Sequence, residues 1–179
     1  MIVRRMFRAA KLETALYEEV EADKGATVEA LGAVILSSLA AGIGMTSTGG
    51  GSGFIAGTLG ALVGWFIWAS LTFLIGTKIL PEAQTKADIG ELLRTVGFAQ
   101  SPRLILVLGC LHPTLAGFLI LVAFVWTAVA MVIAVRQALD YKSTGRAVAV
   151  VMIGGLVQLL VFVGLVVLIA GMTAGPNPS

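Results

Sequence analysis

LILVLGCLHPTLAGFLILVAFVWTAVAMVIAV, Leu104 to Val135, is the stretch whose reading decides the fold. It is too long for one comfortable membrane crossing and too short for two full ones, since a helix needs about 20 residues to cover the ~30 Å hydrocarbon core. A single crossing would put Arg136, Lys142 and Arg146 on the side opposite every other basic residue. Two crossings, turning near Leu111 to Gly117 where His112-Pro113 and Gly117 break the run, return them to the common side. Basic residues favour the cytoplasmic face, so two crossings are expected. The third span then holds only about 10 to 14 apolar residues. It has to lean on Gln100 and Ser101, thin the bilayer or be re-entrant.

Working outward, the other apolar runs are Val28 to Met45, Phe54 to Thr77 and Ala147 to Met172, and none contains Lys, Arg or Asp. All 12 Lys and Arg residues fall in the intervals between or before them that share one side. The intervals Thr46 to Gly53 and Thr173 to Ser179 carry no charge. The expected topology is therefore five crossings, with a cytoplasmic amino terminus and an outside carboxyl terminus. A chain that is 58% hydrophobic and 12% charged cannot cover itself with polar groups as a soluble globule, so it is an integral membrane protein. Runs of this length fit helices, and the alternation of membrane β-strands is absent, so the fold class is an all-α polytopic bundle. Three parts are expected: an amphipathic segment over residues 1–27, a transmembrane domain over 28–172 and a polar tail over 173–179.

Ile2 to about Asp23 spaces Val3, Met6, Phe7, Ala10, Leu16, Tyr17 and Val20 as an interfacial helix, with Arg4, Arg5, Arg8 and Lys11 on its first half. The four cations without an acid also fit, less well, a mitochondrial presequence. The second half carries Glu13, Glu18, Glu19, Glu21 and Asp23. Anionic headgroups should hold the basic beginning and leave the acidic end to face protein. Between the second and third spans, ADIGELLRTVGFA places Ile89, Leu92, Leu93 and Val96 on one face and Asp88, Glu91 and Arg94 on the other, a second interfacial helix.

Small-residue patterns at Gly53, Gly57 and Ala61, and at Gly60 and Gly64, suit close helix packing, within the chain rather than between chains. Gln158, the strongly polar residue of the last span, is expected to face the bundle or a cavity, an interhelical hydrogen bond being its plainer role. His112 and the mid-span Trp65, Trp68 and Trp126 are candidates to touch a pigment, quinone or lipid, though a turn residue and core packing are the plainer roles. Cys110, alone, excludes an intramolecular disulfide and a cysteine metal cage. No motif of catalysis, cofactor or metal binding is legible. The formal charge of +2, with acids interspersed, gives no sign of nucleic-acid binding.

The segment WTAVAMVIAVRQALDYKSTGRAVAVVMIGG, Trp126 to Gly155, with LYEEVEAD from Leu16 to Asp23 and TVEALGAVILSSLAAGIG after it, resembles bacterial members of the Yip1 domain family. The resemblance extends over roughly Leu16 to Met172 and is most specific in the Arg136 to Arg146 loop. It implies five spans and a cytoplasmic amino terminus, here in a bacterial inner membrane. Eukaryotic relatives associate with prenylated Rab-type GTPases, but this sequence departs from their pattern in its short amino terminus without the long Pro- and Gly-rich region, so GTPase binding is not carried over. The expected role is a non-catalytic scaffold or adaptor that associates with membrane lipids and other integral membrane proteins. Its partner-binding residues would be Leu16, Tyr17, Glu18, Glu19 and Glu21. The alternatives are an accessory subunit of a large energy-transducing complex, respiratory or photosynthetic, and a small transporter or channel.

Overall fold

In hydrocarbon every backbone N–H and C=O must find a partner inside the protein, which turns long apolar runs into helices. The computed structural model describes residues 1–48 and 54–173. Its α-helices are α1 (Ile2–Ala10), α2 (Thr14–Ala22), α3 (Ala26–Gly44), α4 (Phe54–Leu74), α5 (Ile89–Phe98), α6 (Pro113–Ala138) and α7 (Thr144–Thr173), and no strand occurs among the described residues. α3, α4, α6 and α7 supply four helices long and apolar enough to cross a membrane. The core gathers at one end of the bundle, where Met6, Leu16, Tyr17, Leu92, Val96, Phe98, Val135, Leu139 and Tyr141 are buried together. That end is called the platform below, and the opposite one the far end.

The expected third span is not an α-helix but an eleven-residue 3₁₀ segment, Ser101–Leu111. It leaves the end of α5 at the platform and packs between α3 and α6. At the far end Ser47 Oγ donates to Gly109 O at 2.7 Å. At 2.0 Å per residue it covers about 22 Å, against about 16 Å for the same residues as α-helix. The stretched pitch recovers part of the length that the short run lacks. It passes close to Gly44 of α3, where an added Cβ would lie 1.8 Å from Leu106 O. Glycine is required there because two backbones touch.

Ile2 to Asp23 forms a hairpin of two helices, not the single helix expected. α1 stops at Leu12, which takes a left-handed conformation (φ 62°), and α2 folds back along it. No glycine or asparagine announces the reversal. Met6, Ala9, Leu16, Tyr17 and Val20 are buried within the hairpin, and charges clamp its open side: Arg5 pairs with Glu19 at 3.0 Å, Asp23 at 2.9 Å and Glu29 at 3.4 Å, and Arg8 pairs with Glu13 at 2.9 Å and with Glu19. Arg5 and Arg8, expected to meet headgroups, are thus engaged by α2 and α3.

α5 also departs from expectation. It carries a capping box, with Asp88 Oδ1 accepting from Glu91 N at 2.9 Å and Glu91 Oε2 accepting from Asp88 N at 2.7 Å. Its polar face is divided: Asp88 is exposed and Glu91 half-buried, while Arg94 is turned inward among α2, α3, α4 and α6, which surround the helix. Arg94 is 5% exposed and donates from Nε to Val20 O at 2.9 Å and from Nη2 to Glu21 O. Those carbonyls lie at the carboxyl end of α2, where a cation satisfies both unpaired acceptors and the helix dipole.

Candidate interaction site

Three segments distant in sequence meet on the platform: α2, the start of α5, and the turn between α6 and α7. The turn is fixed from both sides. Asp140 adopts φ 53°, which an aspartate tolerates. The Tyr141 hydroxyl reaches Gly76 O at 2.9 Å and Leu80 O at 2.7 Å, carbonyls at the π-helical turn Ile75–Ile79 that ends α4. Glu82 accepts from Lys142 N at 3.0 Å and Ser143 N at 3.2 Å, and Gln84 Nε2 donates to Asp140 O at 3.0 Å. These backbone donors, with Gln84 and the nearby Arg146, hold the Glu82 carboxyl below the usual carboxylate range.

Between α2, α5 and this turn lies a cleft of ≈ 600 Å³, whose wall carries Glu18, Glu21, Glu91 and Asp140 beside Arg136 and Lys142. Gln137 Nε2 donates to Glu18 Oε1 at 2.7 Å, tying α6 to α2 across the recess. Glu21 is half-buried, and desolvation followed by the charges of Asp140 and Glu91 pushes its carboxyl up to about 7, with Arg94 pulling the other way and Glu18 adding to the repulsion. Glu19 faces away from the cleft wall. Hydrogen bonds from Arg8 and Arg5 keep its carboxyl below the usual range. The arrangement offers a net acidic recess suited to hydrogen-bonding a cationic segment. Among the described residues no group of three His, Cys, Asp or Glu side chains is placed to hold a metal ion.

Of the residues singled out from the sequence, Glu18 and Glu21 come together in the cleft. Leu16 and Tyr17 do not line it: both are fully buried, and Tyr17 donates its hydroxyl proton to Ala9 O at 3.3 Å. They anchor α2 from within and present no surface to another protein. Gly64 and Gln158 do meet, with an added Cβ at Gly64 lying 3.3 Å from Gln158 Nε2. Gln158 Oε1 finds no hydrogen-bond partner among the described residues, so the expected interhelical bond is not made there. Gly60 departs from the expectation of internal packing, since an added Cβ would meet nothing within 4 Å. Gly53 lies outside the described residues, and Gly57 lies on α4 with side-chain surroundings outside them.

His112 is exposed and caps α6, its Nδ1 accepting from Thr114 N at 3.2 Å. Trp126 Nε1 donates to Ala10 O at 2.8 Å and Trp65 Nε1 to Leu93 O at 3.0 Å. These two tryptophans join spans to platform helices. Trp68 packs its ring against Gly155. Glu91, Asp140, Arg94 and Glu82 were not singled out as site residues. The Asp140-Tyr141-Lys142 turn, inside the loop carrying the family resemblance, was the available signal.

Apolar faces running the length of the bundle, joined at one end by a charged platform, define a multi-pass membrane protein of the all-helical class. Residues 22–172 match the Yip1 domain. The chain belongs to that family, whose members are generally non-catalytic, membrane-trafficking-related proteins. The match begins at the end of α2, so α1, Leu16 and Tyr17 lie before it. No curated protein and no solved structure matches the chain.

Proposed function

We propose that this protein is a non-catalytic adaptor of the bacterial plasma membrane, with its platform in the cytoplasm and its cleft receiving a basic segment of a partner membrane protein. The observation that carries this role is the convergence of Glu18, Glu21, Glu91 and Asp140 around one recess. A cationic segment entering it would relieve the repulsion that raises Glu21, so ligand binding and carboxyl ionisation favour each other. The spans lack the chain of acids, histidines and bases that a proton-coupled transporter needs. With the indole N–H groups of Trp65 and Trp126 held by backbone carbonyls, an accessory role built on pigment or quinone contact has less to rest on.

A photo-cross-linking residue at Ala22, on the cleft wall, should yield adducts with a membrane protein in native membranes. Glu18→Lys should lower their yield about tenfold, the loss of roughly one charge-assisted contact. Cysteine at Ser143 in a Cys110→Ser background should be labelled from the cytoplasmic side. A partnerless monomer that moves a solute in liposomes would overturn the adaptor role.

A further inference from the structure

α1 is the one platform helix with an apolar face turned outward. Val3 is 72% exposed and Phe7 63% exposed, one helical turn apart. Lys11 Nζ stands 4.7 Å from the centroid of the Phe7 ring, and Arg4 is exposed beside it. Neither Arg4 nor Lys11 forms an ion pair among the described residues, whereas Arg5 and Arg8 on the opposite face are both paired with carboxylates. The helix thus divides its cations into an inner set neutralised by the protein and an outer set flanking exposed hydrocarbon.

Its place in the bundle says what the outer set meets. α1 packs against the 3₁₀ segment and α3, with Ile2 Cδ1 against Gly32, and receives the Trp126 bond at Ala10 O. Trp126 lies halfway along α6, about 20 Å from its far end at 1.5 Å per residue. The 3₁₀ segment reaches about 22 Å from that same end. α1 therefore sits where the short segment stops. A helix about 10 Å across laid beneath a segment of about 22 Å completes roughly the ~30 Å that a bilayer core requires.

We propose that α1 is the membrane-facing floor of the short span, seated in the cytoplasmic leaflet with Val3 and Phe7 at the acyl boundary and Arg4 and Lys11 on anionic headgroups. The occupant of this face is an anionic lipid layer: exposed Val3 and Phe7 are flanked by Arg4 and Lys11, which are complementary to anionic headgroups. The proposal is independent of the adaptor role, since no residue of α1 lines the cleft and α1 precedes the family match.

The test uses the full chain with Cys110→Ser and a spin label at Val3→Cys, in nanodiscs of phosphatidylcholine alone or mixed with phosphatidylglycerol. The label should become accessible to oxygen and protected from a water-soluble nickel chelate as phosphatidylglycerol is added. A label at Glu18→Cys should stay open to the chelate throughout. Two cations should favour the seated position about 30-fold in the anionic bilayer, equivalent to about 2 kcal/mol. Arg4→Glu with Lys11→Glu should abolish the lipid dependence. Chelate access at residue 3 that does not change with lipid would overturn the proposal, with no added variant needed. Protection from both relaxants would also overturn it, by showing the face covered by a second copy or another protein.

Discussion

The platform and the far half of α7 are held by opposite means. On the platform, Leu16, Tyr17, Leu92, Val96 and Phe98 have no exposure, and Arg94 is buried with both of its backbone acceptors in place. Along α7, Leu156, Leu159, Leu160, Val161, Phe162 and Val163 are all exposed. In water such a surface would be a liability, but lipid tails are as apolar as leucine, so a span gains little by covering it. Specificity in this protein therefore resides where polar groups must be paired, not where apolar area is greatest.

That contrast breaks most visibly at Arg94. Arg94→Leu leaves the Val20 and Glu21 carbonyls without their buried donor and should destabilise the protein by about 3 kcal/mol. Thermal unfolding in mild detergent reads it directly, and an unchanged midpoint would mean that the platform is not the source of stability. Next come two glycines that look alike in sequence. Gly44→Ala forces a Cβ onto Leu106 O and should cost about 1 to 3 kcal/mol. Gly60→Ala meets open space and should be neutral or stabilising by up to about 1 kcal/mol through helix propensity. Equal losses in the same unfolding assay would show Gly60 packed against another chain.

The smallest effect is that of pH. Glu21, raised to about 7, is protonated in the folded protein over a range where the unfolded chain has already lost its proton. Its contribution is fully present below the ordinary carboxylate range and is lost as pH rises through about 7. Asp23 and Glu19 act the other way, since hydrogen bonds from Arg5 and Arg8 respectively lower their carboxyls, and their contribution is lost only as pH falls through those lowered values. The unfolding midpoint should therefore drop between pH 5 and pH 8, and Glu21→Gln should remove that drop. A drop that persists in the variant would assign it to another group.

The four long apolar helices were legible because an apolar run is a local signal, whereas Ile2 to Asp23 and Ile89 to Phe98 were recognisable as helical but not in the places they take. The 3₁₀ segment Ser101–Leu111 does run from the end of α5 to the contact with Ser47, the direction expected for the third apolar run. What stayed hidden depended on contacts between distant segments. Arg94 reads as an outward charge until α2 supplies its carbonyls. Leu12 carries no residue signal of a left-handed turn, and the fold-back is accounted for by the Arg5 and Arg8 pairs together with the burial of Leu16, Tyr17 and Val20 against Met6 and Ala9. Glu18 and Glu21 were found as an acidic run, but the recess they help line needs Glu91 and Asp140 from two other parts of the chain. Gly44 and Gly60 differ only in what lies opposite, which no local pattern records.

Because the Ser101–Leu111 segment winds at three residues per turn, its side chains stand in straight files, and Leu106 and Gly109 occupy the same file against Gly44 of α3. Such a rod behaves as a screw. Rewinding it to α pitch would shorten it by about 5 Å and turn its far end by roughly half a revolution relative to its base. The Gly109 contact and the His112 cap that follows it would swing away from α3 together. Thickness and rotation are thereby locked to one another in this single column of the protein.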